Sequence, residues 1–175
     1  MKARIVAASL ILLAAAPASA EVVDRSAAGF EIQHVITLQA SLEKARAAVL
    51  DIGRWWSKAH TWSGDPANLS IDLKTGCFCE KLKTGFVRHM TIVYADAGAL
   101  RMAGALGPLQ FTGATGHLGF KFEALTANQT KLTLTYDVGG YAKGGLEQVW
   151  ADPVDAVLGA QLKRLEALVD TGKSE

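Results

Sequence analysis

Gly76-Cys77-Phe78-Cys79-Glu80 holds both cysteines of the chain, one residue apart, with a carboxylate directly after the second. On a strand, alternate side chains share a face, so the two sulfurs point the same way. Three chemistries stay open. The pair forms a disulfide, or the two thiolates join His89 as ligands of zinc or copper, or two reduced thiols pack as small apolar groups. In a flat strand such Cα atoms stand about 6.5–7 Å apart, at the limit of disulfide reach, and a bulge at Gly76 would relieve the strain. A tetrahedral metal would need a fourth ligand from elsewhere, which His60 or Asp65 could supply.

The residues around this motif could also move protons or orient a ligand. Phe78, Met90, Ile92 and Tyr94 fall on one face, while Cys77, Cys79, His89 and Thr91 fall on the other. The heavier apolar face is expected inward. A two-residue turn at Thr75-Gly76 would pair Leu73 with Phe78 and Ile71 with Glu80. A three-residue turn, 83–85, would then set Glu80 opposite Arg88 and Cys79 opposite His89. Glu80 and Arg88 would form an ion pair at a cavity wall, able to hold a polar head group or to act as general acid or base. A slip of one residue would bring Cys77, Cys79 and His89 inward instead. His34 and Tyr136 lie on the apolar faces of other strands, where each either packs as a satisfied core residue or meets a ligand.

The elements that must position these groups follow from hydrophobic periodicity. Phe30, Ile32, His34, Ile36 and Leu38 alternate with polar residues, giving a first strand with one buried face. Ser41 caps a helix carrying Leu42, Ala45, Val49 and Leu50. A short second helix is expected to carry Trp55 and Trp56, one indole packing onto the sheet and the other, Trp56, meeting ligand. A turn-rich stretch, 57–68, follows. From Leu69 to Val138 the signals are six strands in succession, divided by turns at Thr75-Gly76, Thr84-Gly85, Ala97-Gly98, Gly107-Pro108 and Asn128-Gln129. A long amphipathic helix closes the chain, capped by Asp152, begun by Pro153 and stopped by Gly172. Gly159, in its middle, marks close approach to the sheet or room for a ligand.

Lys2 and Arg4 precede an apolar run, 5–16, that ends in Ala18-Ser19-Ala20, the pattern of a secretory leader cut after Ala20. Residues 1–20 are expected to be a signal peptide and 21–175 a single domain, located in the periplasm or secreted. No later run approaches the ~20 apolar residues of a membrane span, so no stable membrane insertion is expected after cleavage. A net charge of +1, from 18 basic and 17 acidic residues, gives no field for nucleic acid. There is no phosphate-binding glycine loop, dinucleotide fingerprint, Gly-x-Ser-x-Gly elbow or His-Glu-x-x-His helix, and no cofactor is expected.

The fold class is therefore α+β: a seven-stranded curved antiparallel sheet wrapped around a long C-terminal helix, in the order β-α-α-β6-α. This order, with Trp55-Trp56 after the first helix, resembles the START-like (SRPBCC), Bet v 1-like helix-grip superfamily, which includes polyketide cyclase and dehydrase relatives. The segments Asp51-Ile52-Gly53-Arg54-Trp55-Trp56, His60-Thr61-Trp62-Ser63-Gly64-Asp65, Gly76-Cys77-Phe78-Cys79-Glu80 and Gly104-Ala105-Leu106-Gly107-Pro108-Leu109 resemble an exported subgroup of this fold. The resemblance implies a hydrophobic or amphipathic ligand between sheet and helix, and it does not imply catalysis. The expected ligand-binding residues are His34, Trp56, Phe78, Glu80, Arg88 and Tyr136. Binding without turnover is the first reading. The alternatives are a cyclase or dehydratase-like enzyme using Glu80, His34 or His89, and a metal or redox module using Cys77, Cys79 and His89.

Overall fold

The computed structural model describes residues 20–174. Nearly all of the expected leader, 1–20, therefore lies outside the described residues. One antiparallel sheet of eight strands runs in the order β1-β2-β8-β7-β6-β5-β4-β3. Its strands are β1 Ala20–Ser26, β2 Gly29–Leu38, β3 Leu69–Asp72, β4 Cys77–Lys81, β5 Phe86–Ala95, β6 Ala99–Gly104, β7 Gly113–Thr126 and β8 Gln129–Tyr141. The helices are α1 Leu42–Leu50, α2 Leu146–Val149 and α3 Ala151–Thr171.

The alternating strands behave as their patterns dictate. β2 buries Phe30, Ile32, His34, Ile36 and Leu38, and β8 buries Leu132, Leu134, Tyr136 and Val138. α3 packs its Leu158, Leu162, Leu165 and Leu168 stripe onto that inner face, chiefly over β2 and β1. Each such leucine, fully buried, contributes roughly 2 kcal/mol. Gly159 is where helix and sheet meet, since a Cβ there would stand 2.9 Å from the His34 ring.

Three expectations need correction. The sheet has eight strands rather than seven, because β1 precedes the expected first strand. It is an edge strand with a bulge at Val23, which breaks the alternation that marks a half-buried strand. No second α-helix carries Trp55 and Trp56. Short 3₁₀ turns at Ile52–Arg54, Lys58–His60 and Pro66–Asn68 occupy that region, and both indoles follow the first of them. Finally, α3 begins before Asp152, with the short α2 leading into it, while Gly172 ends it at φ 81° as expected.

Candidate functional site

The region around the cysteine motif is governed by one bulge. β4 pairs with β5 as Cys79↔Arg88 and Glu80↔Val87, then as Phe78↔Met90 and Cys77↔Thr91, so His89 is an extra residue. The expected Glu80–Arg88 and Cys79–His89 pairings are thus wrong by one. The β3–β4 turn spans 73–76 rather than two residues and pairs Ile71 with Phe78. That shift is even, so the inner face of β4 is unchanged.

The bulge turns His89 inward beside Met90, and both are buried. Glu80 is also fully enclosed, at 0% exposure. Glu80 Oε2 lies 2.9 Å from His89 Nε2, and Glu80 Oε1 accepts the Ser63 backbone N–H at 2.5 Å. Burial pushes the Glu80 carboxyl up, but hydrogen bonds from Ser63, from the Trp62 backbone and from His89 outweigh it and leave Glu80 below the usual carboxylate value. Burial likewise pushes His89 down, more than Glu80 raises it. The pair is therefore a carboxylate and a neutral imidazole whose Nε2–H donates. Arg88 points away into solvent, its Nη1 3.4 Å from the Thr91 hydroxyl, and joins no cavity wall.

The other groups act from beneath two loops. The Tyr136 hydroxyl, buried and pushed up to about 12 chiefly by that burial, accepts the Leu106 N–H at 3.0 Å. Gln161, a polar residue on the apolar stripe of α3, accepts the Ser57 N–H at 2.7 Å. Arg164 Nε donates to the Trp55 carbonyl at 2.8 Å. Trp56 Nε1 closes its own loop by donating to the His60 carbonyl at 2.9 Å. Glu80 and Gln161 thus hold stretch 57–68, and Tyr136 holds the β6–β7 connection.

Between these two loops and the first turns of α3 lies a cavity of about 310 Å³. Trp56 and Trp62 line one wall, Leu106 and Pro108 a second, and Trp150, Val154 and Val157 a third. Among its lining residues His60, at the exposed rim, is the one ionisable side chain. Trp62 is 42% exposed and Phe111 80%, and their rings meet edge to face at 5.6 Å, linking the two loops on the solvent side. The Trp150 Nε1–H is buried and has no acceptor among the described residues.

Of the expected ligand-binding residues, Trp56 lines this cavity. Phe78 stands behind it, with its ring 6.1 Å from Trp56 and 4.9 Å from His89. Glu80 and Tyr136 hold the walls without lining them. His34 lies elsewhere under α3, its Nε2 2.9 Å from Asp155 Oδ1, close enough for an ion pair but without the directionality of a hydrogen bond. The centre of the grip, where the ligand is expected, is filled by Phe78, Met90, Met102, Leu118 and Tyr136. Cys77 and Cys79 are joined by a disulfide, with Cα atoms 5.4 Å apart. Bonded to each other, they are not thiolate ligands, and no group of three His, Cys, Asp or Glu among the described residues is placed to hold a metal. The bulge that accompanies the disulfide lies on β5 rather than at Gly76.

Solved structures with this arrangement of sheet and helix identify the fold. A START superfamily protein from Mycobacterium smegmatis has TM-score 0.51 and 16% identity over 82% of this chain and 99% of that chain. The chain has the START-like, helix-grip fold. A conserved protein of unknown function from Enterococcus faecalis has TM-score 0.62 and 14% identity, covering 89% of this START-like chain and 78% of its own. The di-domain ARO/CYC BexL from the BE-7585A biosynthetic pathway has TM-score 0.50 and 15% identity, covering 78% of this chain and 45% of that one. No family model matches the sequence, and no curated protein matches it.

Trp62, Ser63, Trp150 and Gln161 complete the site. Gln161 carries a readable signal, a polar residue at a buried helical position between Leu158 and Leu165. Ser63 has none, because its contact with Glu80 at 2.5 Å is made by its backbone N–H and its hydroxyl bonds within its own turn, to Asp65.

The Glu80–His89 pair sets a pH dependence. A histidine held neutral loses stability once the unfolded chain begins to take up its proton, near the ordinary 6.5. A carboxylate held below its ordinary 4.5 contributes stability that is present above that value and lost as pH falls through its lower folded value. Both effects run the same way. Thermal denaturation across pH is expected to show a midpoint that falls from about pH 6.5 downward, and His89→Gln should lack the part that begins near 6.5.

Proposed function

We propose that the protein binds a small, uncharged, predominantly apolar molecule in the cavity between stretch 57–68, the β6–β7 connection and α3, and releases it unchanged. One observation carries this reading: three indoles, proline and aliphatic side chains line a preformed space without a charged group facing it. At about 310 Å³ it stands at the lower end of the roughly 300–1,000 Å³ of small-molecule sites. Glu80, His34 and His89, the acid–base candidates, do not line the cavity, which favours binding over turnover. The leader-like first 20 residues support export, and a mature form beginning at Glu21 in periplasmic extract is the corresponding measurement.

Val157→Trp tests the cavity, because Val157 is half-buried on α3 and a larger side chain there grows into the space. A neutral naphthylamine fluorophore is expected to bind the wild-type protein and to bind the variant at least about tenfold more weakly, a loss of ~1.4 kcal/mol. Stability should be unchanged or raised, since the new ring buries apolar area. Equal dye affinity in the two proteins would place the ligand elsewhere.

A further inference from the structure

The Cys77–Cys79 disulfide encloses a single residue, Phe78. A bridge that short removes little freedom from the unfolded chain, since the entropic gain grows with loop length. Its effect is local. It holds the Cα atoms of Cys77 and Cys79 at 5.4 Å, against roughly 6.5–7 Å for alternate residues of an open strand. The shortening coincides with the register shift, which falls between Phe78 and Cys79 and leaves His89 as the extra residue on β5. That bulge is what turns His89 inward to Glu80, and Glu80 in turn holds Ser63 beside the cavity-lining Trp62.

We propose that Cys77–Cys79 is an exchangeable disulfide, reduced by an external dithiol, and that its redox state controls the affinity of the cavity. The coupling rests on the binding reading above. Cys79 is the half-exposed partner and Cys77 the buried one, so attack falls on Cys79 Sγ. Cys79 has the exposed Arg88 as its cross-strand neighbour, a cation on the outer face that favours thiolate chemistry there. One thiolate of the dithiol bonds to Cys79 Sγ as the Cys79–Cys77 bond breaks and Cys77 leaves as a thiolate, which takes a proton. The second thiol then displaces Cys79, which leaves as a thiolate and is protonated. Two electrons and two protons pass to the protein, and the dithiol becomes its own disulfide.

With the bond open, β4 can lengthen toward an ordinary strand, and the mismatch that makes His89 the extra residue is relieved. His89 then no longer meets Glu80, Phe78 loses its fixed place against Trp56, and the Ser63 latch loosens.

The full-length mature protein is equilibrated with mixtures of reduced and oxidised dithiothreitol, and free thiols are counted by alkylation and intact mass. A neutral naphthylamine fluorophore is titrated into each form, and amide exchange is followed at Ser63. We expect the pair to reduce in the folded protein, dye affinity to fall at least about fivefold, and Ser63 to lose protection with the far-ultraviolet dichroism unchanged. The double variant Cys77→Ala/Cys79→Ala should match the reduced form and ignore the dithiol. If the variant does not fold, the reduced wild-type protein supplies the same comparison. A pair that resists reduction until urea unfolds the chain overturns the exchange. Reduction without a change in dye affinity overturns the coupling alone. Dye binding in neither form overturns the cavity reading, and the coupling with it, whereas the thiol count still decides the exchange.

Discussion

Glu80→Ala is expected to cost about 3 kcal/mol of folding stability, because the side chain is the shared acceptor for the buried His89 Nε2–H and the half-buried Ser63 N–H. Without it the half-buried Ser63 N–H loses its acceptor, and the His89 Nε2–H is left buried with no partner. The loss is reduced somewhat by no longer having to bury a carboxylate. Glu80→Gln should be milder, about 1 kcal/mol. Its amide oxygen can still accept from Ser63, and its NH₂ can donate to His89 if the imidazole adopts the other tautomer. Urea denaturation of the three proteins supplies the comparison. Equal costs for Ala and Gln would show that charge rather than hydrogen-bond geometry holds the loop, and a cost below about 1 kcal/mol for Ala would remove the latch altogether. The same variants separate stability from the site: dye affinity should fall with the loosening of Trp62 even for Glu80→Gln.

Much of this architecture was legible because burial follows period. The alternation of Phe30, Ile32, His34, Ile36 and Leu38 named the inner face of β2 residue by residue, and the structure keeps that face. The β3–β4 turn was misjudged without consequence, since a shift of two residues leaves every side chain on its own side. The β4–β5 register was not so forgiving. Expecting either Glu80 or His89 inside assumed an unbroken ladder, and one bulged residue lets both enter. Nothing in Arg88-His89-Met90 announces a bulge, which arises from the fit of two whole strands and here accompanies the bond between the cysteines. The location of the cavity was hidden for a different reason. Periodicity says which face is inward but not whether the inward volume is filled, and here large side chains fill the centre of the grip and leave space at one end. The walls at that end are irregular loops, held through the backbone N–H groups of Ser57, Ser63 and Leu106, whose roles no side-chain pattern records.

Gly116 couples sheet to site, and Gly116→Ala is expected to destabilise the fold by about 3 kcal/mol. A Cβ at this position would meet the Asp137 carbonyl oxygen and stand 2.9 Å from Cε2 of the Tyr136 ring. The first contact is with backbone, so no rotamer change relieves it, and β7 must part from β8 near Gly116↔Val138. The second displaces the ring whose hydroxyl accepts from Leu106 and thereby fixes one wall of the cavity. Tyr136→Phe isolates that second effect. It keeps the ring in a fully buried place and removes the hydroxyl that accepts the Leu106 N–H and donates weakly to the Gly104 carbonyl at 3.5 Å, which should cost about 1 kcal/mol. If dye affinity falls in both variants while stability falls strongly in Gly116→Ala alone, the strand contact carries the fold and the hydroxyl carries the wall. If Tyr136→Phe binds dye as the wild type does, the β6–β7 connection is held by its own 3₁₀ turn, Gly107–Phe111, and the tyrosine is a core residue only.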